Sequence, residues 1–271
     1  MRTFSKLPSL FYGTAWKKER TAELVERAIL YGFQGIDTAC QPKHYHEAGV
    51  GHALLRIKQR REALFIQTKF TPVSGQDPAT IPYDPFAPIR DQVVQSVQTS
   101  LSNLNTDYLD ALLLHSPLPT HAQTLEAWEA LEELHQQGII HRLGISNCYE
   151  LHELKLIFND VAIKPSVLQN RFYAQTGYDE EIRGWCREKN IHYQGFWTLT
   201  ANQHLLNHPV LQHLASLHRV TVEQLFYRFL TQQQIIPLIG TCSDRHMQED
   251  LAIFNFAFAD DEIRQIHALL G

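Results

Sequence analysis

The sequence predicts an α/β protein with the (β/α)8 barrel, or TIM-barrel, fold. Strand and helix patterns alternate along nearly the whole chain of 271 residues. Eight strands, each followed by helix, fit the roughly 250 residues that are typical of this barrel. The strands are short apolar runs, as expected where both faces of a parallel sheet are buried. We therefore expect one domain, residues 1–271, with its functional site at the mouth that the carboxyl ends of the strands form.

Each predicted strand is an apolar run bounded by turn residues or by the next helix pattern. In chain order the strands are predicted at 10–15, 35–39, 64–69, 109–115, 141–147, 166–172, 191–197 and 235–240. The run at 109–115 is the clearest, because Leu-Asp-Ala-Leu-Leu-Leu-His carries one polar residue between its ends.

The predicted helices show apolar residues three and four positions apart, and Gly32 and Gly138 end two of them. They are predicted at 22–32, 46–58, 89–104, 123–138, 149–158, 179–190, 245–251 and 260–270, with further helical turns at 209–219 and 222–232. This order places a helix after every strand, as the barrel requires.

The main structural alternative is a doubly wound parallel sheet. Such a sheet normally carries the pattern Gly-x-Gly-x-x-Gly after its first strand. Here the first strand ends in Gly13-Thr14-Ala15, and the Ala-Gly-Val-Gly at 48–51 lies inside a predicted helix. The sequence therefore favours the barrel.

Composition argues against several classes of function. The formal net charge of -5 provides no basic surface of the kind that nucleic acids bind. No apolar run approaches the roughly 18 residues of a membrane helix, and the start of the sequence lacks the apolar core of a signal peptide. The four cysteines are widely spaced, as in proteins whose thiols stay reduced. We therefore expect a cytoplasmic protein that binds neither nucleic acid nor membrane.

The 15 histidines raise the question of a metal site. His44 and His46 are the closest pair near the predicted mouth. They lack the His-Glu-x-x-His spacing and a clear set of carboxylate partners. We therefore expect no metal.

Three predicted strands end in residues that carry chemistry: Asp37 after the second, Lys69 at the end of the third and His115 at the end of the fourth. Each has an ordinary structural explanation, as a turn cap, a lysine that reaches water or a hydrogen-bonded histidine. A closed barrel directs all three ends toward one mouth, so we expect the three side chains to lie together.

Residues 71–88 contain five prolines, which exclude a regular helix or a central strand. Because this segment follows Lys69 directly, it is expected to lie at the barrel mouth. Two interpretations remain open, a plain surface loop and a lid that shapes the substrate site.

Several segments together resemble the aldo-keto reductase superfamily from one end of the chain to the other. They are GTAW (13–16), GFQGIDTA (32–39), EAGVG (47–51), TKF (68–70), LDALLLHSP (109–117), GIIHRLGISN (138–147) and the glutamine of SVLQN (166–170). The combination of GIDTA and LGISN at this separation is the strongest signal. The resemblance implies a (β/α)8 barrel that uses NADPH or NADH without a metal.

The resemblance also implies a catalytic tetrad of Asp, Tyr, Lys and His. Three places match directly: Asp37, Lys69 and His115. In most of the family the tyrosine stands five residues after the aspartate, and that position is Pro42 here. The loop is two residues longer than usual and resembles a subgroup in which the tyrosine follows Gln-Pro-Lys-His. Tyr45 is the only phenol in this loop and is our candidate, with His44 in reserve.

The chemistry of carbonyl reduction explains why these residue types occur together. The reaction needs a hydride on carbon and a proton on oxygen, and a tyrosine with an ordinary pKa near 10 exchanges protons poorly at neutral pH. A lysine ammonium favours the phenolate, so we expect Lys69 to lower the pKa of Tyr45 and Asp37 to hold Lys69. His115 is expected to position the carbonyl group, with Tyr45 as general acid.

The resemblance further implies a cofactor wall built from several loops. In the family a Ser-Asn pair and a glutamine hold the nicotinamide carboxamide, and an aromatic residue stacks on the ring. The predicted set is Gly13, Thr14, Ala15, Asp37, Ser146, Asn147, Gln169, Phe196, Trp197, Thr198, Leu199, Gly240, Thr241, Ser243, Arg245, His246, Glu249 and Asp250. A Ser-Asn pair also fits ordinary turn chemistry, and Phe196 and Trp197 also fit core packing.

The loop after the eighth strand predicts which cofactor is preferred. Relatives that prefer NADPH meet its 2′-phosphate with Lys or Arg in this loop. Here the loop contains no lysine, His246 stands where an arginine is usual, and Asp250 replaces the usual Asn. Arg245 is adjacent and can substitute, unless Asp244 simply caps the helix and Arg245 is solvated. We expect NADPH to bind with a reduced advantage over NADH.

These observations predict an NAD(P)H-dependent oxidoreductase that reduces aldehydes or ketones to alcohols. The substrate is expected to be a small carbonyl compound, and the protein a monomer or weak dimer. Two alternatives remain open: a sugar or alcohol dehydrogenase that works in the oxidative direction, and a cofactor-binding regulatory subunit without significant turnover.

Overall fold

A computed structural model describes residues 7–270 and shows eight parallel strands that close into a barrel in chain order. The strands are β1 Phe11–Gly13, β2 Gly35–Asp37, β3 Phe65–Phe70, β4 Ala111–Leu114, β5 Leu143–Ser146, β6 Val167–Arg171, β7 His192–Phe196 and β8 Ile235–Ile239. Strand β1 pairs with β2 and β8, which completes the ring. The predicted (β/α)8 barrel is confirmed. Residues 1–6 and 271 of the predicted domain, including most of the start considered for a signal peptide, lie outside the described residues.

Helices follow the strands around the outside. They are α1 Thr21–Tyr31, α2 Glu47–Arg56, α3 Ile89–Leu104, α4 His121–Gln136, α5 Leu151–Asp160, α6 Glu180–Glu188, α7 Gln203–Leu206, α8 Pro209–His218, α9 Val222–Gln232, α10 Asp244–Leu251 and α11 Asp260–His267. All the predicted helices are present, with ends that differ by a few residues. Helix α7 was not predicted, because four residues are too few to show a helical period.

The sequence explains why these helices form and how they pack. Helix α9 begins with a capping box between Thr221 and Gln224, which satisfies backbone N–H groups of its first turn. In helix α1 the buried residues Leu24, Val25 and Ala28 lie on the face toward the barrel. The main apolar core therefore lies between the strands and the surrounding helices.

The barrel interior changes from apolar to polar along the strands. A second apolar cluster fills its amino-terminal part, with Phe11, Phe65, Leu113 and Val167 among its members. Further along, inward-facing positions carry polar side chains on β2, β3, β6 and β7. Because parallel strands end on one side, this polar layer is the floor of a site at the carboxyl-terminal mouth.

Candidate active site

A cavity of about 1050 Å³ opens at the carboxyl-terminal ends of the strands. Its lining includes Tyr45 and His115 and most of the predicted cofactor-binding residues. The lining residues from that set are Gly13, Ala15, Asp37, Ser146, Asn147, Gln169, Phe196, Trp197, Thr198, Leu199, Gly240, Thr241, Arg245, His246, Glu249 and Asp250. One long cavity thus brings together segments that lie far apart in the sequence.

Two predicted cofactor residues, Thr14 and Ser243, do not line this cavity. The Thr14 side chain is fully buried, and its hydroxyl donates to the Asp37 carbonyl at 3.0 Å. The Ser243 hydroxyl caps α10 by accepting from the His246 backbone N–H at 3.4 Å. Both hydroxyls therefore support the backbone around the cavity.

Asp37 and Lys69 form a buried ion pair beneath the cavity. Lys69 is 0% exposed, and its Nζ donates to the Asp37 carboxylate oxygens at 2.6 and 2.8 Å and to the Thr38 carbonyl at 2.9 Å. The pair forms because β2 and β3 are neighbours, with Asp37 opposite Gln67 in the register. Burial lowers the pKa of Lys69, and the negative charge of Asp37 opposes that shift.

Tyr45 lies above this pair. The centroid of its ring is 5.3 Å from the Lys69 Nζ and 6.1 Å from the centroid of the His115 ring. The loop is held by a turn in which the backbone N–H of Tyr45 donates to the Gln41 carbonyl at 3.0 Å. The longer loop therefore still places a phenol beside the lysine and the histidine.

The pKa of Tyr45 is raised above its ordinary value by burial and, less strongly, by the negative charge of Asp37. This direction is opposite to the one expected from Lys69. Burial is the larger of the two causes and decides the direction, while the Lys69 ammonium donates to Asp37 and Thr38. Tyr45 is consequently a neutral phenol at neutral pH.

His115 is held at the wall beside Tyr45. Its backbone N–H donates to the Phe70 carbonyl at 2.8 Å, and its Nδ1 lies 2.6 Å from the Thr71 hydroxyl. Burial lowers the pKa of His115 well below its usual range, and the positive charge of Lys69 adds to this shift. The imidazole is therefore neutral at physiological pH.

His44, the reserve candidate for the tyrosine place, occupies a different part of the cavity. Its ring lies against the Trp16 ring with centroids 3.9 Å apart, and its carbonyl accepts from the Trp16 N–H at 2.7 Å. Burial lowers the pKa of His44. Tyr45, and not His44, has its ring near both Lys69 and His115.

A buried layer of three glutamines lies beneath the cavity, next to Asp37. Only Gln169 lines the cavity, and Gln67 and Gln194 were not predicted from the sequence. The Asp37 Oδ1 accepts from the Gln67 amide at 2.8 Å and from the Gln169 amide at 3.0 Å. Both amides also donate to the Gln194 Oε1, at 2.8 and 2.9 Å. Gln67 and Gln194 carry the same signal as Gln169, an amide in an otherwise apolar strand that must find hydrogen-bond partners.

The predicted carboxamide-binding residues are held by hydrogen bonds within the protein. The Ser146 hydroxyl donates to the Gln169 carbonyl at 2.6 Å, and the Asn147 amide donates to the His115 carbonyl at 2.9 Å. The Asn147 Oδ1 accepts from the Tyr149 hydroxyl at 3.1 Å. Asn147 has a backbone φ of 52°, a left-handed conformation that asparagine tolerates better than most residues.

The end of the cavity at β8 has an uneven charge distribution. Arg245 pairs with Glu249 at 2.7 Å, but its side chain is 77% exposed, so it is largely solvated, as one interpretation expected. The N-cap of α10 is Ser243 and not Asp244, which pairs with Arg27. Asp250 is 5% exposed, and burial and then the charges of Glu249 and Glu223 raise its pKa to about 7.

Lys17, a residue outside the predicted site, reaches this end of the cavity. Its Nζ donates to the Gly240 carbonyl and lies 3.5 Å from the Cys242 sulfur. Its only sequence signal is that it directly follows the GTAW segment.

The proline-containing segment supports the tyrosine loop and does not line the cavity. The Gln76 amide donates to the Cys40 carbonyl at 2.9 Å, and the Gln41 amide donates to the Gly75 carbonyl at 2.7 Å. The Tyr83 hydroxyl donates to the Thr71 carbonyl at 2.6 Å. Of the two interpretations left open, the contacts favour a packed loop over a lid that shapes the site.

Comparison with known proteins agrees with this geometry. The profile of the Aldo/keto reductase family matches residues 10–270. The chain belongs to the aldo/keto reductase family.

Two curated relatives from Bacillus subtilis are similar over most of their length. The uncharacterized oxidoreductase YtbE is 32% identical over 249 residues, which are 90% of this chain and 82% of the relative. A glyoxal reductase is 30% identical over 247 residues, which are 91% of this chain and 82% of the relative. The crystal structure of an aldo/keto reductase from Brucella melitensis superimposes with a TM-score of 0.83 at 25% identity, covering 97% of this chain and 94% of that one.

As an aldo/keto reductase, the protein is an NAD(P)H-dependent oxidoreductase of carbonyl groups. Within residues 7–270 no helix is long and apolar enough to cross a membrane. The same residues contain no group of three or more His, Cys, Asp or Glu side chains placed to hold a metal ion. Its four cysteines are free, and three of them are buried.

Proposed function

We propose that this aldo/keto reductase reduces small aldehydes or ketones with NADPH and that Tyr45 is the general acid. The observation that carries the proposal is the placement of a neutral phenol beside a neutral imidazole, above the Asp37–Lys69 pair. The raised pKa of Tyr45 keeps the phenol protonated at neutral pH, which is the form that reduction needs.

Each tetrad residue has a distinct task in this proposal. Tyr45 donates its proton to the carbonyl oxygen as that oxygen gains negative charge. His115 orients the carbonyl: in the tautomer in which the Thr71 hydroxyl donates to Nδ1, the neutral ring carries its hydrogen on Nε2 and donates it to the carbonyl oxygen. Lys69 stabilises the phenolate left after proton transfer, and Asp37 keeps Lys69 charged in a buried place. NAD(P)H, when bound, supplies the hydride.

The cavity fits a dinucleotide cofactor. It extends from the tetrad to the β8 loop, and its wall carries the Ser146–Asn147 pair, the Gln169 amide and the Phe196 ring where a nicotinamide needs polar and stacking partners. We propose NADPH as the preferred cofactor, with NADH also used. The preference for NADPH over NADH is expected to be small, because Arg245 is paired with Glu249 and because the Asp250 carboxyl group disfavours a phosphate nearby.

The substrate class is proposed to be small carbonyl compounds. A relative that matches 91% of this chain is a glyoxal reductase, and methylglyoxal reductases of enteric bacteria match 97% of it at 24–25% identity. In this protein Trp16 and Trp197 are 58% and 46% exposed at the cavity, which offers apolar surface to such a substrate. We further propose a cytoplasmic protein, residues 1–271 forming one domain, that acts as a monomer or weak dimer.

The direct test is an assay of NADPH oxidation with a panel of aldehydes, ketones and sugars, together with a titration of NADPH binding by protein fluorescence. We expect turnover with small aldehydes. Oxidation of alcohols or sugars that exceeds reduction at neutral pH would favour the dehydrogenase. Tight binding of NADPH without turnover of any substrate would favour the regulatory subunit.

A further inference from the structure

Arg171, at the end of β6, presents a positive charge to the cavity without an acidic partner. It stands two residues after Gln169, so both side chains lie on the inward face of the strand, and it is opposite Phe196 in the register with β7. The Arg171 side chain forms no ion pair within residues 7–270, and its Nε is buried without a hydrogen-bond partner. By contrast, Arg245 in the same cavity is paired with Glu249.

Two aromatic rings hold the guanidinium group of Arg171 in place. Its central carbon lies 4.3 Å from the centroid of the Trp197 ring and 5.2 Å from that of the Tyr173 ring. Stacking of this kind uses the face of the guanidinium group and leaves the N–H groups at its edge available. Trp197 has a backbone φ of 55°, an uncommon conformation for a residue with a large side chain.

The backbone of Arg171 is tied to the predicted nicotinamide site. Its N–H donates to the Tyr149 hydroxyl at 3.0 Å, and that hydroxyl donates to the Asn147 Oδ1 at 3.1 Å. The guanidinium group is therefore carried by a strand end whose backbone is connected, through the Tyr149 hydroxyl, to Asn147 in the lining of the cavity. A pre-positioned fork of N–H donors without a counterion matches an oxyanion.

We propose that Arg171, stacked on Trp197, binds an oxyanion of a ligand in the cavity. Two sources share this chemistry: a phosphate group of the cofactor, and a carboxylate on the carbonyl substrate. Both present two oxygens in a plane to a guanidinium fork. Binding of a substrate carboxylate rests on the proposed reductase function. Binding of a cofactor phosphate is tested by measuring NADPH binding alone.

The experiment compares Arg171→Met, Arg171→Lys and a control, Arg56→Met, with the unaltered protein. Methionine keeps an apolar stem against Trp197 but removes the charge, and lysine keeps the charge but loses the planar fork. Arg56 is exposed on α2, and its replacement lowers the net charge equally. The readouts are the Kd of NADPH by protein fluorescence at several salt concentrations, and KM for succinic semialdehyde against butanal, its neutral analogue.

If the anion is a cofactor phosphate, Arg171→Met weakens NADPH about ten-fold or more and reduces the salt dependence of its Kd, with Arg171→Lys between. If the anion is a substrate carboxylate, the Kd of NADPH is unchanged and KM rises about ten-fold for succinic semialdehyde alone. A Kd and both KM values within about two-fold of the control overturn the proposal.

The proposed reductase function and this proposal can fail separately. If the protein turns over no aldehyde, KM is replaced by the Kd of succinic semialdehyde for the NADPH-bound protein, measured by fluorescence and compared with the Kd of butanal. A charge-dependent difference that Arg171→Met abolishes still supports the oxyanion site. Equal binding of the two aldehydes, together with an unchanged Kd of NADPH, still overturns it.

Discussion

Replacing Asp250 by asparagine is expected to stabilise the protein strongly above neutral pH and much less in mild acid. Asp250 is 5% exposed, and its pKa is raised from 3.8 to about 7 by burial and by the charges of Glu249 and Glu223. A folded-state pKa above the unfolded one means that the folded protein holds the proton more tightly. The free energy of unfolding therefore falls as the pH rises from about 4 to about 7, and stays low above.

The magnitude follows from the displacement of the pKa. Each unit is worth about 1.36 kcal/mol, so the change from 3.8 to about 7 corresponds to roughly 4 kcal/mol at high pH as an upper bound. Roughly 3 kcal/mol of this arises between about pH 5 and about pH 8.5. Asparagine has no proton to lose, so Asp250→Asn removes this loss of stability.

The difference in the free energy of unfolding is measured by urea unfolding of the unaltered protein and of Asp250→Asn, at about pH 5 and at about pH 8.5. The control is Asp107→Asn, because Asp107 is exposed. We expect Asp250→Asn to gain stability over the unaltered protein at the higher pH, and the gain to shrink at the lower pH. A difference between the two proteins that is independent of pH would refute the reasoning, because it would show that Asp250 does not titrate in this range.

Three further substitutions test other parts of the account. Lys69→Met should shift to higher pH the ascending limb of the oxidative pH–rate profile, where the phenolate is the base, because it leaves the Asp37 charge uncompensated near Tyr45, and should cost about 3–5 kcal/mol in urea unfolding; an unmoved limb contradicts the tuning role. Arg245→Ala should reduce the ratio of NADPH to NADH affinity by less than about ten-fold, because the exposed Arg245 side chain is screened by water and already pairs with Glu249 through Nε; a larger loss in a fluorescence titration contradicts the weak preference. Gln194→Leu should lower the free energy of unfolding by about 1–3 kcal/mol, because it leaves buried amide groups without partners; unchanged urea unfolding contradicts this role.

The strand ends carried most of the information that the sequence contained about the site. Asp37 ends β2, Lys69 stands one residue before the end of β3, and His115 directly follows β4. Parallel strands of a closed barrel end on the same side. That rule, with the resemblance, was sufficient to place the three residues together. The lengthened loop did not prevent Tyr45 from joining them, because a turn at Gln41 absorbs the extra residues.

Side-chain partners were harder to predict than positions. The amides of Gln67 and Gln194 meet only because β3 and β7 face each other across the barrel, and single-strand patterns contain no information about opposite strands. The net rise in the pKa of Tyr45 was also not predicted, because it comes mainly from burial of the phenol, which depends on how the loop packs.

The measurement that tests the central claim most directly is the single-turnover rate of reduction by Tyr45→Phe with NADPH bound. Tyr31→Phe, at the exposed end of α1, is the matched control, and His44→Ala tests the neighbouring candidate. We predict that Tyr45→Phe lowers the rate by roughly 10²- to 10⁴-fold while the Kd of NADPH is unchanged. A near-normal rate in Tyr45→Phe, with a large loss in His44→Ala, would contradict the assignment of Tyr45 as the proton donor.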